Sequence, residues 1–332
     1  MIMKPAIGIL AALLVLGACT ELQEEKVSVI FLAQADVKAA VQGDGCAVER
    51  LDLLVFRSLD GTIDTYASLS GNGLSGIEAD VTAGCRMNWH LVANAPEGSF
   101  DGIVSESDFL ARNTMLSHTT SNTLVMHDSG TKVFTPGGYA TNAILQRYAS
   151  KVSLGKLKVS WLGEFAETPP CILETIALVN ARGQISWEGT PSGSADGIWY
   201  NCSRIDTGLS GIPASCLVAH PNLTISSADA VDVGVELYAM PNPSECDDTA
   251  SAQPWAPRRT RIVIGLRIDG ILQWYPIDLP AMECNTHYAA RNVEITGPGA
   301  LEPDGAIDRS SVSFTVELQA WGSRTNNVDF GT

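Results

Sequence analysis

Thr260-Arg261-Ile262-Val263-Ile264-Gly265-Leu266-Arg267-Ile268, then Asp269-Gly270, then Ile271-Leu272-Gln273-Trp274-Tyr275: this stretch decides the fold class. Both arms are rich in β-branched and aromatic residues. The Asp-Gly pair between them reaches positive φ at little cost, so the stretch predicts a two-residue β-hairpin. The same texture extends outward in both directions. Lys151 to Trp161 alternates cleanly, and Ile172 to Val179 reads as a further strand. Upstream, Trp89-His90-Leu91-Val92-Ala93-Asn94 follows a turn at Gly84 and ends at Pro96, and Leu51 to Phe56 closes on Leu59-Asp60-Gly61. Val27 to Ala33 is another strand candidate, behind the acidic run Glu21 to Glu25. Helical periodicity is confined to Glu106 to Arg112, with Ser105 as its cap. Many short strands with few helices predict an all-β chain of β-sandwiches. The 332 residues give room for two of them. The turn-rich Pro136-Gly137-Gly138 sets the join at Tyr139 to Tyr148.

Composition narrows the function classes. Acidic side chains number 37 against 21 basic ones, a net charge of −16, which excludes nucleic acid as a partner because phosphate binding needs clustered Lys and Arg. Of the eight cysteines, Cys46, Cys85, Cys171, Cys202, Cys216, Cys246 and Cys284 follow Cys19, with no Cys-x-x-Cys among them. Cys202 with Cys216 is one candidate disulfide, although pairing is not fixed by sequence. The five histidines stand singly, so no metal and no cofactor is expected. No Gly-x-Ser-x-Gly elbow, His-Glu-x-x-His or phosphate loop occurs. His127-Asp128-Ser129 brings together three triad residue types, but neighbours along a strand point apart, and a triad is defined by geometry. Asp247-Asp248 reads as a solvated loop pair. Trp187, Trp199 and Tyr200 read as core packing before a sugar-binding face. An enzyme is not expected.

The first residues carry an address. Lys4 is followed by an apolar run from Ala6 to Ala18, too short to span a bilayer and shaped like a signal peptide. Leu16-Gly17-Ala18-Cys19 resembles the lipobox of bacterial lipoproteins. That resemblance implies removal of residues 1–18 and acylation of Cys19, with several acyl chains giving stable attachment to a membrane.

Val312 to Ala320 places Val312, Phe314, Val316, Leu318 and Ala320 on one face, beyond a break running from Gly297-Pro298-Gly299 to Pro303-Asp304-Gly305. An apolar face must be buried and its backbone paired. Two readings stand: a final strand folded into its own sheet, or a strand donated to another subunit by β-addition.

The ordered segments resemble the fimbrillins of Bacteroidales, lipoprotein-derived pilins. The lipobox comes first, then Val48 to Phe56 with Asp60-Gly61, then Val92-Ala93-Asn94-Ala95-Pro96 and Val125 to Gly130. Arg147 to Val152 resembles the strand opening the family's second domain. The most specific match is Tyr275 to Pro280, Tyr288, Ile295 to Gly299 and Glu302-Pro303-Asp304. The resemblance implies two transthyretin-like β-sandwich domains in tandem, over residues 39–146 and 147–332, behind a tether and removable strand at 19–38. It implies an outer-membrane lipoprotein whose first strand, with Val27, Val29 and Phe31, is cut away by a trypsin-like protease. Lys38 is the scissile candidate and Arg50 the alternative; many members carry Arg where Lys38 stands. A neighbouring subunit would fill the vacated groove, and Val312, Phe314, Val316 and Leu318 are the donor candidates. The expected product is a stalk or tip subunit of an adhesive surface fimbrium. Its expected partners are other fimbrial subunits, the outer membrane and a host or bacterial surface receptor. The alternative is a lipid-anchored adhesin or glycan-binding module that keeps its first strand and never polymerises.

Overall fold

The computed structural model describes residues 25–35, 47–119, 122–137, 139–161, 170–189, 199–200, 217–226, 229–245, 258–303, 305–308, 311–321 and 323–328. The first strands are β1 (Lys26–Ala35), β2 (Arg50–Arg57), β3 (Ile63–Ser70), β4 (Gly76–Thr82) and β5 (Arg86–Ala93). Helix α1 (Glu106–Ala111) precedes β6 (Asn113–Met115), β7 (Met126–Val133) and β8 (Tyr139–Arg147). The chain continues with β9 (Ser150–Val159), β10 (Cys171–Val179), β11 (Ala181–Arg182), β12 (Gln184–Ser186), β13 (Trp199–Tyr200), β14 (Val218–Ala219) and β15 (Leu223–Ile225). It closes with β16 (Val231–Ala239), β17 (Arg261–Ile268), β18 (Ile271–Asp278), β19 (Thr286–Ile295), β20 (Val312–Ala320) and β21 (Ser323–Val328). Strands dominate the described chain, and its helical elements are α1 and one short 3-10 turn.

The first sheet has the order β3-β2-β5-β7-β8-β1-β4. It folds over on itself at its weakest seam, since β7 and β8 share only the pairs Met126↔Arg147 and His127↔Gln146. The fold brings β4, β1 and β8 over β2 and β5, and their facing residues form one apolar core. Two five-stranded sheets follow, β16-β9-β19-β20-β21 and β14-β10-β17-β18 with β15 also on β10. Their inner faces share a second, larger core that reaches back to Leu54, Phe56 and Val92 on the far side of the first sheet.

Local chemistry explains the predicted pieces. Asp269 and Gly270 both take positive φ, 48° and 81°, and β17 pairs with β18 from Arg261↔Asp278 to Ile268↔Ile271. Ser105 caps α1 by accepting the Asp108 amide at 3.2 Å. The join is shorter than its turn signals suggested. Tyr139–Arg147 is a full strand of the first sheet, whose inward Ala143 and Leu145 are fully buried, and only residues 148–149 separate it from β9. Trp187 is 1% exposed and lies against Phe109, which removes it from any sugar-binding face. Trp199 and Tyr200 pair with β11 through their backbone.

Candidate assembly site at the first strand

β1 is an interior strand. On one side it runs antiparallel to β4, from Lys26↔Thr82 to Leu32↔Gly76, and on the other parallel to β8, from Val29↔Tyr139 to Ala35↔Leu145. Its period-2 pattern sends Val27, Val29 and Phe31 inward while Ser28 and Ile30 face out. Val29 and Phe31 have no exposed surface. The Phe31 ring lies 5.6 Å from that of Trp89 and 6.0 Å from that of Phe134. Two glycines make this packing fit. A Cβ on Gly130 would stand 2.7 Å from the Trp89 indole, and one on Gly76 would stand 2.8 Å from the Phe31 carbonyl oxygen.

The walls of this slot are anchored independently of β1. β4 is tied to β3 by side chains: the Thr82 amide and hydroxyl donate to the two Asp64 carboxylate oxygens at 2.9 and 2.6 Å, and Thr65 donates to the Asp80 carbonyl. β8 is held to β7 where Asp128 Oδ2 accepts the Ile144 amide at 2.7 Å. That role, with His127 turned into the interior, gives His127-Asp128-Ser129 no triad geometry. β1 itself adds the Ser28 hydroxyl, donated to Glu78, and joins β2 through residues 36–46.

The other predicted residues lie as follows. Cys19 and Lys38 fall outside the described residues, as do Cys202, Cys216, Asp247 and Asp248. Arg50 opens β2, paired with Ser70 of β3, and its guanidinium donates to both oxygens of the fully buried Asp52 at 2.8 and 3.0 Å and to Ser68 at 2.7 Å. β20 is also interior, antiparallel to β19 on one side and β21 on the other. Val312 and Val316 are buried in the larger core, while Phe314 and Leu318 are half-buried against it. Just past β20, Trp321 stacks on Tyr238 at 5.7 Å and lies 4.5 Å from the Arg147 guanidinium.

Sequence reasoning missed a polar chain between the first sheet and the second half of the molecule. His90 Nε2 meets Glu106 Oε1 at 3.0 Å, and His90 Nδ1 meets His127 Nε2 at 3.1 Å. His127 stacks on Tyr148 at 5.7 Å, and Tyr148 donates to the Trp187 carbonyl. Burial, reinforced by the neighbouring His90, pushes His127 down to about 3. Burial lowers His90 as well, against the opposing pull of Glu106. The one available signal was a histidine inside the apolar run Trp89 to Ala93. Among the described residues no group of three His, Cys, Asp or Glu is placed to hold a metal, and no helix is long and apolar enough to cross a membrane.

Solved structures share this architecture. A candidate cell adhesion protein of Bacteroides eggerthii superposes with a TM-score of 0.66 at 18% identity, over 90% of this chain and 97% of that one. A fimbrilin of Porphyromonas gingivalis superposes with a TM-score of 0.64 at 14% identity, over 89% and 97%. The tip fimbrial protein of Porphyromonas gingivalis, with a C-terminal truncation, gives 0.52 at 17% identity, over 88% and 99%. No protein-family model and no curated protein matches the chain. At these identities the likeness establishes a common fold.

Proposed function

We propose that the chain is a non-catalytic structural subunit, stalk or tip, of a cell-surface fimbrium, built by exchange of its first strand and supporting adhesion. The observation that carries this reading is β1 itself, an interior strand filling an apolar slot whose two walls are tied down without it. Burial of Val27, Val29 and Phe31 contributes about 1.5–3 kcal/mol each. Roughly 5–9 kcal/mol in all is comparable with the whole stability of an ordinary domain, about 5–15 kcal/mol. A subunit that has lost β1 therefore needs another strand in its place. An open slot is otherwise an aggregation hazard, and filling it from a neighbour gives open head-to-tail growth. The shared fold with fimbrilins supports the same reading.

In this proposal Cys19 carries the lipid that holds the precursor at the outer membrane, and the two halves are tandem transthyretin-like sandwiches meeting at residues 147–149. Cleavage falls at Lys38 rather than Arg50. A protease must draw its substrate into extended form, and the Arg50 backbone and side chain are engaged by β3 and Asp52. Other fimbrial subunits are the partners, with a surface receptor engaged by the finished fibre.

Limited trypsin treatment of the purified precursor, followed by mass spectrometry and size exclusion, tests this. The expected outcome is an early cut after Lys38 and a ladder of multimers. A chain that is cut there, sheds β1 and stays monomeric would overturn polymerisation. An uncut monomer that binds on a glycan array would favour the tethered adhesin.

A further inference from the structure

Asn94 stands one residue past the end of β5, and β5 pairs with β2 as far as Ala93↔Leu51. There the backbone turns away, because Asn94 takes a left-handed φ of 61°, which asparagine tolerates better than most residues. Its polar groups continue the pairing where the strand stops. The Asn94 amide donates to the Arg50 carbonyl at 3.0 Å, and Oδ1 accepts the Glu49 amide at 2.9 Å. Nδ2 donates to the Ala47 carbonyl at 2.8 Å and to the Leu124 carbonyl at 2.9 Å. The turn between β3 and β4 grips the same segment from its other side. The Gly71 amide donates to the Glu49 carbonyl at 2.9 Å, and the Leu74 amide to the Val48 carbonyl at 3.0 Å. Between the two, Val48 is buried in the core that holds Val29 and Phe31.

We infer that Asn94 sets the downstream limit of proteolytic maturation: it holds residues 47–50 in place, denies Arg50 to the protease and confines the cut to the chain before Ala47. This rests on the maturation reading and adds the residue that fixes where cutting stops. Arg50 needs such a guard, because Lys38 and Arg50 are the basic residues between the end of β1 and Leu51, and a protease that selects basic side chains meets both. A bond is cut only when residues on both sides of it leave their partners and extend across the enzyme. Opening of residues 47–50 therefore governs the rate at Arg50. The ion pair with Asp52 holds the Arg50 side chain and none of the three residues before it. The β3–β4 turn offers only main-chain groups there, so among the described residues Asn94 is the side chain that binds this segment by hydrogen bonds. A cut after Arg50 would strip Val48 from the core and leave the Gly71 and Leu74 amides without their acceptors.

The test uses the full precursor carrying Lys38→Gln, in which Arg50 becomes the first basic residue after β1. It is compared with the same precursor carrying Asn94→Gly as well. Glycine adopts this φ freely, so the substitution removes the side-chain bonds to Ala47, Glu49 and Leu124 without straining the backbone. Mass spectrometry during limited trypsin treatment times the product that begins at Leu51. Cuts after Arg57, Arg86 and Lys132 are timed in the same digests. Asn94→Gly is expected to speed cutting after Arg50 by at least about tenfold and to leave the other three rates unchanged. Asn94→Asp keeps the acceptor for the Glu49 amide and loses both donations, so its rate should fall in between; it carries the test should Asn94→Gly not fold. An unchanged rate at Arg50, or a rise shared by all four sites, would overturn this inference and leave maturation at Lys38 standing. Cutting of the unsubstituted precursor that begins at Arg50 rather than Lys38 would overturn both.

Discussion

β1 and β20 are both interior strands, each flanked by two neighbours and each presenting Val and Phe to a core, yet they are held in different ways. β1 is the more deeply buried, with Val29 and Phe31 fully enclosed, but residues 36–46 are its one covalent link to the rest of the described fold. β20 is less completely buried, and its far end is pinned: the Trp321 amide donates to the Asn285 carbonyl at 3.0 Å while its ring lies between Arg147 and Tyr238. Burial and severability are thus separate properties. One cut can free the strand that packs best, and no single cut between β19 and β20 frees the other from its Trp anchor.

The largest test of this contrast is Phe31→Ala in the uncut precursor. Emptying a fully buried aromatic site costs about 3–5 kcal/mol, read as a drop in urea midpoint. Phe314→Ala should cost only about 1–2 kcal/mol, because that ring is only partly buried. Equal losses would break the comparison. Next, Trp321→Ala should cost about 3 kcal/mol and speed amide exchange along β20 while β1 stays protected. Uniform acceleration across both strands would show that Trp321 supports the whole fold rather than one strand.

A smaller effect belongs to neither strand but to the junction between the halves. The His90 and His127 side chains have folded values below the ordinary one of 6.5. Both states are neutral at pH 7.5. As pH falls below 6.5 the unfolded chain takes up protons that the folded chain refuses, so stability declines toward the His127 value of about 3. For one such proton the loss is about 2 kcal/mol between pH 6.5 and 4.5. Urea midpoints at pH 7.5, 6.0 and 4.5 should fall accordingly, and His127→Gln should flatten the curve; an unchanged slope would acquit this histidine. The smallest effect is Ser28→Ala, expected within about 0.5 kcal/mol because its hydroxyl faces water.

Strands with clean alternation and firm turn chemistry were legible: β2 before Asp60-Gly61, and the β17–β18 pair across Asp269-Gly270. Others hid for definite reasons. β19 reads poorly because a bulge between Arg291 and Glu294, with Asn292 at φ 53°, breaks its period of two. β16 is interrupted in the same way at Gly234. β8 looked like a join because its inward residues include Thr141 and Arg147, which dilute the apolar signal. That β1 could lie inward was readable from Val27, Val29 and Phe31. Its parallel neighbour was not, since alternation says which face is buried and nothing about which strand lies alongside. The His127–His90–Glu106 chain joins His90 to residues 37 and 16 positions away, beyond any local pattern.

The placement of β1 also has a mechanical meaning. Any pull on the chain from the residues preceding Lys26 enters the fold along the axis of this strand. Because β1 is laced to β4 and β8 along both edges, such a load is shared by all its rungs at once, in shear, and they cannot open one at a time like a zipper. A strand held like this is hard to tug out, whereas one cut between β1 and β2 would sever its covalent link to the rest of the described fold. On the strand-exchange proposal, that combination of resistance to traction and release by a single cut is what an anchored precursor would require.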